Sequence, residues 1–263
     1  MYCKPLYHSL TTPWPNLIRL IATDMDGTLT LEGKFTAKLL QALEDLADAK
    51  IPVLIVTGRS AGWVSGLVSY LPVVGAIAEN GGLFYSNSSE QSGALLTSIA
   101  DQVWHRQKLA QVFQQLQTKF PQIQESADNR FRITDWTFDN QGFSPAEVQQ
   151  MAALCQVQGW GFTYSAVQCH IKLINQSKRN SLLQVLKSSS ILPYRTEQVL
   201  TVGDSPNDES LFDPQIFPYS IGVANVLRYL SQMEYQPAYV TAASEGLGFC
   251  EVVRLLLQAR ALG

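Results

Sequence analysis

Two aspartates, Asp24 and Asp26, follow an apolar stretch of strand length, residues 18–23. Side chains alternate along an extended backbone, so both carboxylates leave the strand end pointing the same way. Two such charges repel by about 4 kcal/mol at about 4 Å in a medium of effective dielectric about 20. A cation or a shared proton must compensate this pair, which indicates a metal-assisted site. The alternative is a solvated turn, because Asp-Gly is a common turn dipeptide.

A second apolar stretch, residues 51–56, ends in Thr57 and Gly58. Between the two stretches, residues 39–47 place apolar side chains at helical spacing, with acidic residues on the other face. A strand, a helix and a strand of these lengths predict a βαβ unit with parallel neighbouring strands. Because open α/β sheets bind ligands at the carboxyl ends of their strands, we expect Thr57 to lie beside Asp24. The backbone of Gly58 would be free to approach a phosphate oxygen.

A third stretch, residues 199–202, leads through a glycine to Asp204, and Asp208 follows four residues later. Ser205 or Asn207 is a candidate cap for the next helix, but capping does not explain Asp204, which precedes any helix. Upstream, Lys178 lies in the first turn of an amphipathic helix, where the helix macrodipole disfavours a cation. Its position indicates an anionic partner.

These residues together resemble the haloacid dehalogenase-like (HAD) phosphohydrolase superfamily. Its four motifs occur here in order: Asp24-Met25-Asp26-Gly27-Thr28, Thr57-Gly58-Arg59, Lys178, and Gly203-Asp204 with Asn207-Asp208. The long segment between the second motif and Lys178 looks like the α/β cap of the Cof-type and sucrose-phosphatase-like branch, subclass IIB. One departure is Arg179, where that branch usually has glycine.

The resemblance implies an α/β fold, with a Rossmann-like parallel-sheet core and an inserted α+β cap. We expect the catalytic core to comprise residues 1–82 and 175–263. Residues 1–16 would form its N-terminal extension, and residues 83–174 would form the cap. Alternating helix and strand patterns in this middle third are sufficient for a lid over the crevice.

The resemblance also implies a role for each motif residue. Asp24 would attack phosphorus and become an aspartyl phosphate, while Asp26 would protonate the leaving group and later deprotonate a water molecule. Mg²⁺ is the implied cofactor, because a hard cation takes oxygen ligands. Its implied ligands are Asp24, Asp26 through its backbone carbonyl, and Asp204, with Asp208 beside the metal or Lys178. Phosphate oxygens would be held by Thr57, Gly58, Lys178 and Asn207.

Three residues of the lid segment are candidates for recognising the rest of the substrate: Arg132, His170 and Lys172. They could bind a second anionic group or sugar hydroxyls. The alternative is that they are solvated charges on strand faces. The basic character of Lys172 would suit a substrate with an additional carboxylate or phosphate.

Composition describes a well-folded chain: 263 residues, 46% hydrophobic and 16% charged. A net charge of −3, without a basic face interleaved with aromatics, argues against a nucleic-acid partner. No apolar run reaches the roughly 18 residues that span a bilayer, so we expect no membrane partner. Four cysteines without CxxC spacing favour reduced thiols and a cytoplasmic location. Monomer and dimer stay open.

Three functions compete. The first is a Mg²⁺-dependent phosphomonoesterase acting on a small phosphorylated metabolite, such as a sugar phosphate or a phosphoglycerate-type glycoside. The second is a sugar phosphomutase resembling phosphomannomutase, which would return the phosphoryl group to a sugar. The third is a non-catalytic signalling domain that accepts phosphate, which Asp26 argues against because such a domain needs no general acid. Neither a P-loop nor a strand-ended dinucleotide motif is present.

Overall fold

The computed structural model describes residues 3–11, 14–87, 92–140, 142–165, 167–188 and 192–261. Its strands are β1 (Lys4–Pro5), β2 (Leu20–Thr23), β3 (Val53–Val56), β4 (Gly75–Ala78), β5 (Leu83–Ser86), β6 (Ser92–Leu95), β7 (Trp136–Asp139), β8 (Gly161–Tyr164), β9 (Gln168–Lys172), β10 (Val199–Gly203), β11 (Tyr219–Gly222) and β12 (Tyr239–Val240). Its α-helices are α1 (Ala37–Asp48), α2 (Ala61–Leu67), α3 (Gln102–Lys119), α4 (Pro145–Val157), α5 (Lys178–Ser188) and α6 (Glu245–Ala261).

Nine of these strands form one twisted sheet in the order β1-β12-β11-β10-β2-β3-β4-β5-β6. In this spatial order, all neighbouring strands between β1 at one edge and β4 are parallel. Strands β5 and β6 then continue the sheet in antiparallel orientation. Strand β2 is central, with Thr23 paired with Val202 of β10 on one side and with Ile55 of β3 on the other. The three strands that precede the predicted site residues are therefore immediate neighbours, so their carboxyl ends share one edge of the sheet.

Helices cover both faces of this sheet, which explains why its strands are apolar without interruption. Ile21 points into a core shared with α1 and α6, while Leu20 and Ala22 point into a second core shared with α5. Helix α1 begins where the Thr36 hydroxyl accepts a hydrogen bond from the backbone N–H of Leu39. The βαβ unit and the α/β fold class predicted from the sequence are confirmed.

A second sheet of three antiparallel strands, ordered β7-β9-β8, lies over the carboxyl edge of the large sheet. Helices α3 and α4 pack against one face, where Cys169 and Ile171 of β9 join a separate apolar core. The alternate residues Gln168, His170 and Lys172 are buried on the opposite face, toward the large sheet. We refer to residues 102–172 as the lid.

The strand pairing bears on the predicted division into core and cap. Residues 83–95, which the sequence suggested would begin the cap, form β5 and β6 and extend the large sheet. We propose that the inserted unit begins after β6, and the division at 82/83 and 174/175 stays a prediction. Within the predicted extension, residues 1–2 and 12–13 lie outside the described part of the chain. Trp14 is buried and stacks on Tyr219 and Tyr239.

None of the helices in the described ranges combines the length and the apolar character needed to cross a bilayer.

Candidate active site

Asp24, Thr57 and Asp204 each follow the last residue of a strand: β2, β3 and β10. The backbone N–H of Asp24 donates to the carbonyl of Val202 over 2.9 Å, and that of Thr57 donates to Ile77 over 2.8 Å. The sheet hydrogen bonding therefore continues one residue beyond the strands and fixes the backbone of Asp24 and Thr57. All three side chains are buried, although each carries a polar group.

Lys178 lies between two of the carboxylates. It is the first residue of α5, and its Nζ donates to Oδ1 of Asp24 over 2.5 Å and to Oδ1 of Asp208 over 2.6 Å. Burial lowers the pKa of Lys178, but the carboxylates of Asp208 and Asp24 outweigh it, so the net shift is upward. Lys178 is therefore favoured in its charged form at the start of its helix, and Asp24 and Asp208 are the anionic partners that its position in the sequence indicated.

Asp208 is held in place from two directions. Its Oδ2 accepts hydrogen bonds from the backbone N–H groups of Asp204 and Ser205, over 2.9 and 3.2 Å. A Cβ on Gly203 would lie 2.5 Å from the Asp208 carboxyl carbon, so only glycine permits this approach. Because Asp208 also accepts from Lys178, it positions that lysine.

The oxygens of Asp24, Asp204 and Asp208 can all lie within 4.8 Å of one another. Burial, together with the neighbouring carboxylates, raises the pKa of Asp204 well above its usual range. Burial also raises the pKa of Asp24 to about 7, against the lowering effect of Lys178. One lysine does not balance three buried carboxylates. The donor set is therefore deficient in positive charge and consists of hard oxygen ligands, which fits a divalent cation such as Mg²⁺.

Two neighbours aim the carboxylate of Asp204. The Thr28 hydroxyl donates to its Oδ1 over 3.3 Å, and the Asn225 amide donates to its Oδ2 over 2.8 Å. Asn225 was not among the site residues predicted from the sequence. It lies in a short 3-10 helix after β11, and its residue type alone does not reveal its partner.

Asp26 turns away from the buried cluster toward Arg59. The guanidinium of Arg59 binds its carboxylate in a bidentate pair, with distances of 2.8 Å from Nε and 2.6 Å from Nη2. Both side chains are partly exposed. The side chain of Asp26 thus faces open space beside Asp24 instead of the three-carboxylate cluster, and its proposed metal contact through the backbone carbonyl stays a prediction. The sequence contains Arg59 in the second motif but does not reveal its partner.

Thr57, Gly58 and Asn207 are the remaining predicted residues of the core, and they follow strands β3 and β10. The Thr57 hydroxyl accepts from the backbone N–H of Arg59 over 3.1 Å, which shapes the loop after β3. The Asn207 amide donates to Oδ1 of Asn80 over 3.2 Å. The structure thus brings together all the predicted residues of the core, while their roles in phosphate binding stay predictions.

A small cavity of about 20 Å³ lies between the core and the lid, with room for about one water molecule. Its lining residues are Asp24, Asp26, Gly58, Arg59, Ser165, Val167, Gln168, His170 and Asn207. Both aspartates of the first motif therefore line the same cavity. A phosphate ester is too large for this volume, so the lid must move to admit a substrate.

His170 is the predicted lid residue that the structure places in this cavity. It is buried, and its Nδ1 lies 2.8 Å from Oδ2 of Asp135. A Cβ on Gly58 would lie 3.0 Å from Cε1 and 3.2 Å from Nε2 of His170, so the ring sits directly over the loop after β3. Burial lowers the pKa of His170 despite the opposing effect of Asp135.

Arg132 is held by the protein, which corrects the expectation that it faces the substrate. Its Nη1 donates to the carbonyl of Gly58 over 2.9 Å and to both oxygens of Asp135 over 3.0 Å. Its Nη2 donates to Asp128 and Gln168, and its Nε donates to Asp128. All five N–H groups of the guanidinium therefore have acceptors within the protein. The sequence shows the charge of Arg132 but not these acceptors.

Lys172 is also outside the cavity, contrary to the expectation that it binds substrate. Its Nζ donates to the backbone carbonyl of Gln176 over 2.5 Å. Burial lowers its pKa to about 8, against the raising effect of Asp135. Lys172 therefore supports the return of the chain from the lid to the core.

Glu79 is a second residue that was not among the site residues predicted from the sequence. It is fully buried after β4. Its carboxylate accepts from the backbone N–H of Ala61 over 2.9 Å, of Ile133 over 3.0 Å and of Thr134 over 2.6 Å. It also accepts from the Thr134 hydroxyl over 2.7 Å. One core carboxylate thus joins the start of α2 to a lid segment.

The fold and this site define a phosphatase of the HAD superfamily. A sequence model described as sucrose-6F-phosphate phosphohydrolase matches residues 17–250, and the chain belongs to this family. The resemblance predicted from the four motifs is thereby confirmed. Because the family is enzymatic, the non-catalytic alternative is not retained.

Curated relatives are similar over nearly the whole chain. Phosphoglycolate phosphatase 1 from Saccharolobus solfataricus is 27% identical over 248 residues, covering 92% of this chain and 97% of the relative. Phosphoglycolate phosphatase from Methanothrix thermoacetophila is 24% identical over 241 residues, covering 90% of this chain and 96% of the relative.

Solved structures share the fold at lower identity. A Thermoplasma acidophilum protein has a TM-score of 0.72 at 20% identity, covering 91% of this chain and 98% of its own. The sucrose-phosphatase from Synechocystis, solved with sucrose and phosphate, has a TM-score of 0.64 at 18% identity, covering 90% and 97%. The C-terminal domain of trehalose-6-phosphate phosphatase from C. albicans has a TM-score of 0.70 at 17% identity, covering 98% of each chain.

Proposed function

We propose that the protein is a Mg²⁺-dependent phosphomonoesterase that hydrolyses a small phosphorylated metabolite through an aspartyl phosphate on Asp24. The observation that carries this proposal is the meeting of Asp24, Lys178, Asp204 and Asp208 at the ends of neighbouring strands. The names of the curated relatives and solved structures, which include phosphoglycolate, sucrose and trehalose phosphate phosphatases, support a substrate of this class.

Asp24 is the proposed nucleophile. Its carboxylate oxygen forms a bond to phosphorus while the bond from phosphorus to the leaving oxygen breaks. Lys178 lies within hydrogen-bond distance of Asp24 and would therefore also reach an oxygen of a phosphoryl group bound there. It would stabilise the charge that accumulates on the phosphoryl oxygens.

Asp26 is the proposed acid and base. Its position beside Asp24 in the cavity allows it to give a proton to the departing alkoxide. In the second step it would take a proton from a water molecule whose oxygen attacks the phosphorus of the aspartyl phosphate. The bond between phosphorus and Asp24 then breaks, and inorganic phosphate leaves.

Mg²⁺ would be held by Asp24 and Asp204, with Asp208 adjacent. When bound, it would supply positive charge that balances these carboxylates and the phosphoryl oxygens. Without such a cation the burial of these side chains would be unfavourable, because desolvation disfavours the charged forms of Asp24 and Asp204.

The test is phosphate release from p-nitrophenyl phosphate and from a panel of sugar phosphates, phosphoglycerate-type glycosides and phosphoglycolate. We expect release that depends on Mg²⁺, is stopped by EDTA and is absent in Asp24→Asn. Turnover by Asp24→Asn comparable to the wild type would contradict the proposed nucleophile. Transfer of phosphate between sugar positions, dependent on a sugar bisphosphate and without inorganic phosphate release, would instead support the phosphomutase.

A further inference from the structure

The lid wall of the cavity is uncharged. It is formed by Ser165, Val167, Gln168 and His170, whereas the core wall carries Asp24, Asp26 and Arg59. Among the described residues of the lid, no lysine or arginine lines this space. The part of a substrate that extends from phosphorus toward the lid therefore meets polar and apolar groups, without a cation to bind a second anion.

Two basic side chains of the lid, Arg132 and Lys172, donate their hydrogen bonds to other groups of the protein. Arg132 uses all of its donors on Asp128, Asp135, Gln168 and the Gly58 carbonyl, and Lys172 donates to the Gln176 carbonyl. On the core side, the charge of Arg59 is paired in a bidentate geometry with Asp26. An additional carboxylate on the substrate would therefore have to compete with Asp26 for the guanidinium of Arg59.

His170 presents one nitrogen to the cavity. Its Nδ1 is fixed by Asp135, whose carboxylate is itself bound by Arg132 and can only accept hydrogen bonds while ionised. Burial lowers the pKa of His170 and so favours the neutral ring, in which the proton is on Nδ1 and Nε2 carries a lone pair. Among the described residues Nε2 has no hydrogen-bond partner, although it lies over the loop that begins at Gly58.

We infer that Nε2 of His170 accepts a hydrogen bond from a hydroxyl group of the substrate's leaving group, so that the site favours a small polyol monophosphate over one that carries a carboxylate. Val167 would contact the carbon skeleton of that group. Asp135 acts as a positioning residue, because it sets the tautomer and the orientation of His170 without reaching the cavity. The inference rests on the proposed phosphomonoesterase function.

The inference differs from what the relatives' names suggest, since glycolate carries a carboxylate. A lone pair on Nε2 repels an anion but accepts a hydroxyl proton. A site built to receive a substrate hydroxyl discriminates strongly against analogues that cannot supply it, since its polar group is then left unpaired.

The experiment compares kcat and KM for glycerol 3-phosphate, 2-phosphoglycolate and p-nitrophenyl phosphate in the presence of Mg²⁺. For the wild type we expect kcat/KM with glycerol 3-phosphate to exceed that with 2-phosphoglycolate by about tenfold or more. His170→Leu should lower the ratio of kcat/KM for glycerol 3-phosphate over p-nitrophenyl phosphate by about tenfold, mainly through KM. His170→Gln, whose amide oxygen can occupy the place of Nε2, should recover most of that ratio.

A wild type that prefers 2-phosphoglycolate overturns the inference, as does a ratio that His170→Leu leaves within about twofold of the wild-type value. These outcomes leave turnover of p-nitrophenyl phosphate intact, and so they differ from failure of the proposed function, in which no ester is hydrolysed. The wild-type ranking needs no variant, so poor folding of His170→Leu does not remove the test.

A double-mutant cycle separates positioning by Asp135 from a general structural role. Asp135→Asn should lower the same ratio when His170 is present but change it little in the His170→Gln background. An equal loss in both backgrounds would show that Asp135 does not act through His170.

Discussion

Nζ of Lys178 lies 2.5 Å from Oδ1 of Asp24, and the lysine side chain is completely buried. The cation is therefore fixed at the nucleophile before any substrate binds, so little reorganisation is needed when charge develops on the phosphoryl group. The same contact ties the first strand of the site to the first turn of α5, which follows the lid in sequence.

Replacing this lysine should affect both activity and stability. Lys178→Met leaves buried carboxylates without their cation, so we expect kcat to fall by about 10² or more. We also expect a loss of about 3–5 kcal/mol in the free energy of unfolding, measured by urea denaturation. Lys187→Met is the matched control, because Lys187 is exposed on the same helix. Similar losses in both variants would exclude the assigned role.

Metal binding should be visible without turnover. Mg²⁺ at about 100 times its Kd should stabilise the folded protein by about 2.7 kcal/mol, seen as a rise in Tm. Asp204→Asn should remove this rise, because its carboxylate lies in the buried cluster. Glu44→Gln, which changes an exposed acid on α1, should keep it. A rise that persists in Asp204→Asn would place the metal elsewhere.

Asp26→Asn should slow hydrolysis by about 10² or more, because the amide cannot exchange a proton with the leaving group. The loss in the first chemical step should be larger for an alkyl phosphate than for p-nitrophenyl phosphate, whose leaving group is stable as an anion. Single-turnover kinetics with the two esters test this. Equal loss of the first step for both would argue against the acid role.

Glu79 should contribute to stability in a pH-dependent way. In Glu79→Gln an NH₂ group faces backbone N–H donors, so we expect a loss of about 1–3 kcal/mol. Burial raises the pKa of Glu79 to about 7 from a usual 4.5, and Asp135 adds to this shift. The folded state thus holds a proton that the unfolded state releases.

Binding of this proton stabilises the folded state, and its contribution to the free energy of unfolding is fully present below pH 4.5 and is lost as the pH rises through about 7. The stability difference between wild type and Glu79→Gln should therefore narrow between about pH 5 and pH 8. Urea unfolding across this range provides the measurement, and a difference that widens with pH would contradict the raised pKa.

The sequence predicted the core side of the site well because its residues follow apolar strands. Strand alternation and the βαβ pattern alone placed Asp24 and Thr57 at one edge, and the structure adds Asp204 there. A residue at the end of a buried strand has few alternative positions. The same logic predicted the charge environment of Lys178.

The lid could not be predicted as well, because charge type does not reveal a partner. Arg132 and Lys172 are basic in the sequence, but their acceptors come from a distant loop and from a backbone carbonyl. Only the fold shows that both side chains already have hydrogen-bond acceptors within the protein. Glu79 was missed for the same reason, since its four donors belong to two other segments.

Strand β1 has a consequence for how the protein behaves in concentrated solution. Lys4 and Pro5 pair with Tyr239 and Val240 and so occupy one border of the large sheet. Unpaired strand borders invite addition of strands from other molecules, and both a lysine and a proline discourage it. A variant that lacks residues 1–5 would expose the edge of β12, and we expect it to self-associate and precipitate more readily than the protein that retains β1.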